Sequence, residues 1–342
     1  MMTTTTTMPT SPILNTRPPP ARSVADILAP VQADLYAVEA RLREPAADQH
    51  EALGYALEHL LASGGKRLRP AVTMLSAQIF AAPRQRSVAL AAAIEMLHTA
   101  TLVHDDLVDG SLMRRGHPTL NAQWSPAATV LSGDFLFARA AELASMAESV
   151  PVMSVFARTL MIIVNGELVQ MFEGRGAATR EGYFKRIYGK TASLFAVAAE
   201  APALLAEVEA VYVDAMRTFG REVGMAFQIV DDILDFTSDE AHLGKPVGSD
   251  LRQGLFTLPV LCYMDLNPDD GDIAVLLNGQ AGNAMIVDRV VQAVRSSGAT
   301  EIALEEARAY VARAQAALAT VPDHPACHSL AELADYFVRR SL

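Results

Sequence analysis

The tightest constraint on this chain is an acidic motif that occurs twice within apolar helical text: Asp105-Asp106-Leu107-Val108-Asp109 and Asp231-Asp232-Ile233-Leu234-Asp235. An α-helix turns about 100° per residue, so side chains four apart share a face. Asp105 and Asp109 therefore point one way, as do Asp231 and Asp235. Like charges at this spacing repel by about 0.2–0.5 kcal/mol. Apolar neighbours such as Thr101-Leu102-Val103 add a desolvation cost. A fold that accepts both costs twice must hold something cationic against the carboxylates. Oxygen-only donors favour Mg²⁺, which keeps waters and is commonly shared with substrate phosphates. Either cluster alone is weak evidence and reads more readily as a solvated helix end or loop. Two copies 126 positions apart, followed by Arg114-Arg115-Gly116 and by Gly244-Lys245-Pro246, have the parts of a diphosphate site.

Between the clusters and around them the text is helical from about Val24 onward. Alanine and leucine dominate, apolar residues recur at spacings of three and four, and alternating strand patterns are nearly absent. Breaks fall near Glu44-Pro45, Ser63-Gly64-Gly65, Ala82-Pro83, Gly110 to Pro118, Ser125-Pro126, Val150-Pro151, Gly174 to Thr179, Ser238 to Gly248, Asn267 to Asp272 and Val321 to Pro325. The pattern predicts an all-α, single-domain bundle of ten or more helices over 23–342. The Thr/Pro-rich stretch 1–22 has the composition of a disordered tail.

With 51% hydrophobic residues the chain can bury a large core. Its net charge of −11 argues against nucleic acid as a partner. Local cationic clusters can still bind an anion. Cys262 and Cys327 have neither metal-ligand nor disulfide-framework spacing, which fits a reducing, cytoplasmic setting. Every long apolar run is broken by polar residues, so no membrane span is expected.

Further residues share faces or turns with the clusters. His98 lies seven positions before Asp105 on the same helical face, where it reads equally as a core histidine or a ligand-binding one. Ser63-Gly64-Gly65-Lys66-Arg67-Leu68-Arg69-Pro70 is a glycine turn followed by three cations, either a solvated helix start or a phosphate cradle. Gln228 shares the face of Asp231 and Asp232. Gly220 and Gly224, one turn apart, allow close helix packing or leave room for a ligand.

Taken in order, Gly64 to Pro70, His104 to Asp109 with Arg114-Arg115-Gly116, Gly133-Asp134-Phe135-Leu136, Lys190-Thr191, Phe227 to Asp235 and Gly244-Lys245 closely resemble the trans-isoprenyl diphosphate synthases, or polyprenyl synthetases. The resemblance runs from about residue 30 onward. It implies a helical bundle around a central substrate cavity and the head-to-tail condensation of isopentenyl diphosphate with an allylic diphosphate. It implies about three Mg²⁺ ions, replaceable by Mn²⁺. Asp105, Asp109, Asp231 and Asp235 would face the metals, with Asp106 and Asp232 in support. Arg114, Lys190 and Lys245 would hold the allylic diphosphate. Lys66, Arg69, His98 and Arg115 would hold isopentenyl diphosphate, and Thr191 and Gln228 would offer oxygens to the developing cation. The family also implies a homodimer.

Short-chain relatives often carry a bulky aromatic residue four or five positions before the first aspartate. Here these positions are Thr101 and Ala100, which points to an all-trans product longer than farnesyl. The alternatives are a geranylgeranyl or farnesyl diphosphate synthase, a class I terpene synthase, and a non-catalytic subunit of a heteromeric synthase. Lys66 to Arg69 and Arg114-Arg115 oppose the terpene synthase, and the two intact clusters oppose the silent subunit.

Overall fold

Where the structure describes them, proline, glycine and serine break the chain at expected positions, and the apolar 3.6-residue period between them becomes helix. A computed structural model describes residues 22–47, 49–172, 178–238, 247–279 and 283–340. Most of the predicted tail, and Lys245 with Gly244, lie outside the described residues. The helices are α1 (Val24–Leu28), α2 (Gln32–Arg43), α3 (Glu51–Ala62), α4 (Leu68–Ile79), α5 (Arg84–Val108), α6 (Leu120–Gln123), α7 (Pro126–Ser145), α8 (Val150–Phe172), α9 (Arg180–Ile187), α10 (Ser193–Leu205) and α11 (Ala210–Thr237). After them come α12 (Ser249–Arg252), α13 (Leu258–Leu266), α14 (Gly271–Leu277), α15 (Ala284–Ser296), α16 (Ala299–Leu318) and α17 (Pro325–Arg339). One small hairpin pairs Met113–Arg114 with His117–Pro118. Its two-residue turn, Arg115-Gly116, has positive φ at both positions, 52° and 79°, as a type I′ turn requires.

The centre of the bundle is α10, in which every residue but Leu204 is buried. A helix that is apolar on nearly every face belongs inside a core, and the one charged residue of α10, Glu200, pairs with Arg217 at 2.7 Å. The helix packs on α4, α5, α8 and α11. Its contact with α11 depends on Gly220 and Gly224. A Cβ at Gly220 would lie 2.3 Å from the Phe195 carbonyl oxygen, and one at Gly224 2.5 Å from Ala192 Cα. The pair therefore serves close packing rather than ligand space, and it sets α11 against the segment that joins α9 to α10. That segment, Tyr188–Ala192, is a π-turn, an irregularity often found at functional sites.

Among the described residues, two helices are long and apolar enough to cross a membrane by length and composition alone. The apolar window of α5 is 78% buried, so its hydropathy is that of a core helix. The window of α8 is only 22% buried. Met161, Val164, Leu168, Met171 and Phe172 recur along its exposed face at helical spacing.

Candidate active site

The two acidic clusters lie at the C-terminal ends of α5 and α11, and the π-turn touches both. Lys190 Nζ lies 3.2 Å from Asp105 Oδ2. The next residue, Thr191, donates its hydroxyl to Gln228 Oε1 at 2.7 Å, and Gln228 Nε2 donates to Asp232 Oδ1 at 2.8 Å. Consecutive residues thus link the first cluster to the second.

Within the first cluster, Asp106 is buried and clasped by Arg114, with Nε 2.9 Å and Nη2 2.8 Å from Oδ1. Burial raises the Asp106 carboxyl above its ordinary range, against the pull of Arg114. Asp109 caps α5 and is exposed. Lys190 also lies 3.2 Å from Glu167 Oε1 on α8. Burial works against the Lys190 charge, but Asp105 and Glu167 outweigh it and hold the ammonium above its usual pKa.

The second cluster is arranged differently. Asp231 pairs with Arg340 Nη2 at 2.6 Å, and the same nitrogen donates to the Phe227 carbonyl at 3.2 Å. Asp232 is enclosed, and Tyr183 Oη donates to its Oδ2 at 2.7 Å. Burial pushes this carboxyl up to about 8. Asp235, expected beside Asp231, is only 3% exposed. Its Oδ1 accepts from Ser249 Oγ at 2.8 Å and its Oδ2 from the Asp250 N–H at 3.2 Å. Here Asp235 anchors the start of α12, while Asp231 keeps 39% of its side chain in contact with solvent.

Beside the clusters is a cavity of about 470 Å³, lined by Lys66, Arg67, Arg69, Arg114, Arg115 and Arg340, with Glu95 and Asp231 as its acidic members. His98 lines it too, and burial, then Arg69 and Arg115, hold its imidazole well below the ordinary histidine pKa, in the neutral form. Arg115 donates to the Gly64 carbonyl and so ties the hairpin tip to the glycine turn. Three of the six cavity cations rest on aromatic rings. The Arg69 guanidinium lies 4.8 Å from the Phe195 centroid, Arg340 4.4 Å from Phe227, and Lys66 Nζ 5.4 Å from Tyr336. Rings soften the cost of desolvating a cation without consuming its charge.

Ala100 is fully buried, and Thr101 is half-buried, donating to the His98 carbonyl at 2.7 Å. Glu167, Tyr183, Ser249 and Arg340 are missing from the sequence-predicted set. The Gly166-Glu167 pair and the Tyr183-to-Lys190 stretch are visible in the sequence, but nothing local places them against a cluster. Among the described residues no three His, Cys, Asp or Glu side chains converge closely enough to hold a metal unaided. The side-chain oxygens of Asp105, Glu167 and Asp231 are carboxylate donors with protein cations against them. Such a set fits a hard divalent ion that completes its shell with waters and phosphate oxygens.

An all-α bundle whose paired aspartate clusters adjoin a basic cavity defines a diphosphate-handling transferase. The polyprenyl synthetase family model matches residues 50–294. The chain is 37% identical over 290 residues to the octaprenyl diphosphate synthase of Escherichia coli (strain K12), covering 84% of this chain and 89% of the relative. It is 37% identical over 308 residues to heptaprenyl diphosphate synthase component 2 of Geobacillus stearothermophilus, covering 90% and 96%. The crystal structure of a polyprenyl synthase from Caulobacter crescentus CB15, complexed with calcium and isoprenyl diphosphate, superposes with a TM-score of 0.86 at 36% identity, covering 95% of this chain and 100% of that one. The chain belongs to the polyprenyl synthetase family.

Proposed function

We propose that this chain condenses isopentenyl diphosphate with an allylic diphosphate and repeats the addition until the all-trans product is longer than farnesyl. The observation that carries the reading is adjacency: Lys190 and Thr191 bridge both aspartate clusters, and a second, separate cationic cavity opens beside them. Joining two diphosphate substrates needs two anion regions, whereas cyclising one substrate needs a single region. The octaprenyl and heptaprenyl relatives support the longer product.

In the condensation the allylic C1–O bond breaks, and the diphosphate leaves with the electron pair. Lys190, Arg114 and Lys245 bind and neutralise that leaving group. The Thr191 hydroxyl and the Gln228 carbonyl place oxygen dipoles near the developing carbocation, where fixed dipoles cost no reorganisation. Lys66, Arg69, His98 and Arg115 hold isopentenyl diphosphate so that its terminal double bond meets C1. A carbon–carbon bond forms, a proton leaves C2, and the departing diphosphate accepts it. Asp105, Asp109 and Asp231 would hold Mg²⁺, or Mn²⁺ in its place, with Asp106, Asp232 and Asp235 behind them. When bound, the metal supplies Lewis-acid stabilisation of the leaving diphosphate.

The exposed apolar stripe of α8, with Leu131 of α7, supports a homodimer through this face. The two free cysteines support a cytoplasmic setting. Residues 1–22 are read as a tail and 23–342 as the synthase domain.

The test is incubation of the purified chain alone with farnesyl diphosphate, isopentenyl diphosphate and Mg²⁺, with mass analysis of the dephosphorylated products. Prenyl alcohols longer than farnesol are expected. Hydrocarbon released from farnesyl diphosphate alone would indicate a cyclase, and activity only after adding a second chain would indicate a heteromeric component. Ala100→Phe should shorten the product, since overpacking a closed site costs about 1–3 kcal/mol. An unchanged length distribution would remove Ala100 from length control.

A further inference from the structure

An anion-binding cavity that keeps a buried carboxylate in its wall needs a reason. Glu95 lines the basic cavity and is 5% exposed, so its charge opposes any diphosphate bound there. Its partner is Arg67, whose Nη1 donates to Glu95 Oε1 at 3.1 Å. The same guanidinium reaches Glu39 on α2, with Nε 3.0 Å from Oε2 and Nη2 3.4 Å from Oε1. Two carboxylates from two helices thus bracket one arginine. Its backbone is left-handed, with φ 48° and ψ 40°, at the start of α4. A residue with a β-carbon keeps that conformation only where its surroundings hold it. Lys66 precedes it and Arg69 follows two positions later, and both line the cavity.

On the reading of this cavity as the isopentenyl diphosphate site, we propose that Arg67 is a positioning residue. Glu39 and Glu95 occupy its guanidinium and hold the left-handed turn that aims Lys66 and Arg69 at the diphosphate. Glu95 is retained because the turn needs its charge, although the ligand does not. This role differs from direct phosphate binding: three of the five N–H donors of the Arg67 guanidinium already go to carboxylates.

The test exploits a difference in sign. If Glu95 were only a repulsive neighbour, Glu95→Gln would lower KM for isopentenyl diphosphate. A positioning role instead raises that KM about tenfold, the scale of a lost charge-assisted contact, with allylic KM changed less than about twofold. Glu39→Gln should move KM in the same direction, although Glu39 does not line the cavity. It carries the test if Glu95→Gln fails to fold. The backbone is probed by comparing Arg67→Gly with Arg67→Ala, both in the Glu95→Gln background, where the charges are equal. Glycine accepts the left-handed turn and should give a KM at least about threefold below that of alanine. A lower KM in Glu95→Gln, or equal values for the glycine and alanine variants, would overturn the proposal. A wild type that does not saturate with isopentenyl diphosphate would overturn the site reading beneath it.

Discussion

The two aspartate clusters share a motif and almost nothing else. The first ends its helix: Asp109 is exposed at the cap, and Asp105 meets a lysine shared with Glu167. The second is largely enclosed: Asp232 is held by Tyr183 and Gln228, Asp235 by Ser249 and the Asp250 N–H, and only Asp231 meets the cavity, against Arg340. Identical spacing fixes which side chains share a helical face, but what lies over that face is set by other parts of the chain. Repetition in sequence is therefore no guide to equivalence in chemistry. One cluster is disposed to exchange partners, and most of the other is disposed to keep them.

The sharpest way to break this comparison is to remove the open member of each cluster. Asp105→Ala and Asp231→Ala should each lower turnover by about 10³-fold or more, as loss of leaving-group stabilisation does. Single-turnover assays with labelled isopentenyl diphosphate would read this. Near-normal turnover in Asp231→Ala would make the second cluster wholly structural. The neighbouring cavity gives the next effect. Lys66→Ala and Arg69→Ala should raise KM for isopentenyl diphosphate about ten- to a hundredfold, with a smaller change for the allylic substrate. Equal changes for both substrates would merge the two anion regions.

Stability separates the clusters in a third way. Asp235→Ala strands the Ser249 hydroxyl and the Asp250 N–H, and should cost about 1–3 kcal/mol in urea melts. The exposed Asp109→Ala should stay within about 0.5 kcal/mol. The last contrast concerns pH. Asp232 has a folded pKa raised to about 8 by burial, so the metal-free protein should lose stability as pH rises from the ordinary carboxylate range through 8. Asp232→Asn should flatten that slope. Thermal melts in chelator would show it, at about 1–2 °C per kcal/mol for a chain of this size. A slope unchanged by Asp232→Asn would place the titration elsewhere.

The helices were legible because apolar periodicity and Pro/Gly punctuation are local. The aspartates, Lys190, Thr191 and Gln228 were legible through motif order and helical spacing. Arg340 was not, because it meets Asp231 across 109 positions and no local pattern encodes that pairing. Tyr183 and Glu167 were hidden for the same reason. Asp235 shows the converse limit: its helical phase was read correctly, but its cover is the start of α12, a separate element. The apolar stripe of α8 was visible as composition, yet only its packing distinguishes an uncovered face from a core one.

The π-turn at Tyr188–Ala192 has a consequence for how this chain can vary. It carries one residue more per turn than regular helix, and that surplus sets the phase between α9 and α10. Deleting one residue there would permit an unbroken helix that still buries the apolar surface of α10. Everything on one side would be rotated by about 100° relative to the other. Lys190 and Thr191 would then lose the joint reach that now spans Asp105 and Gln228. The same rotation would turn the buried Tyr183 and Ile187 of α9 away from the core, so such a deletion should cost stability as well as activity. Through this stretch, residue count constrains the chain as much as the identities of Lys190 and Thr191 do.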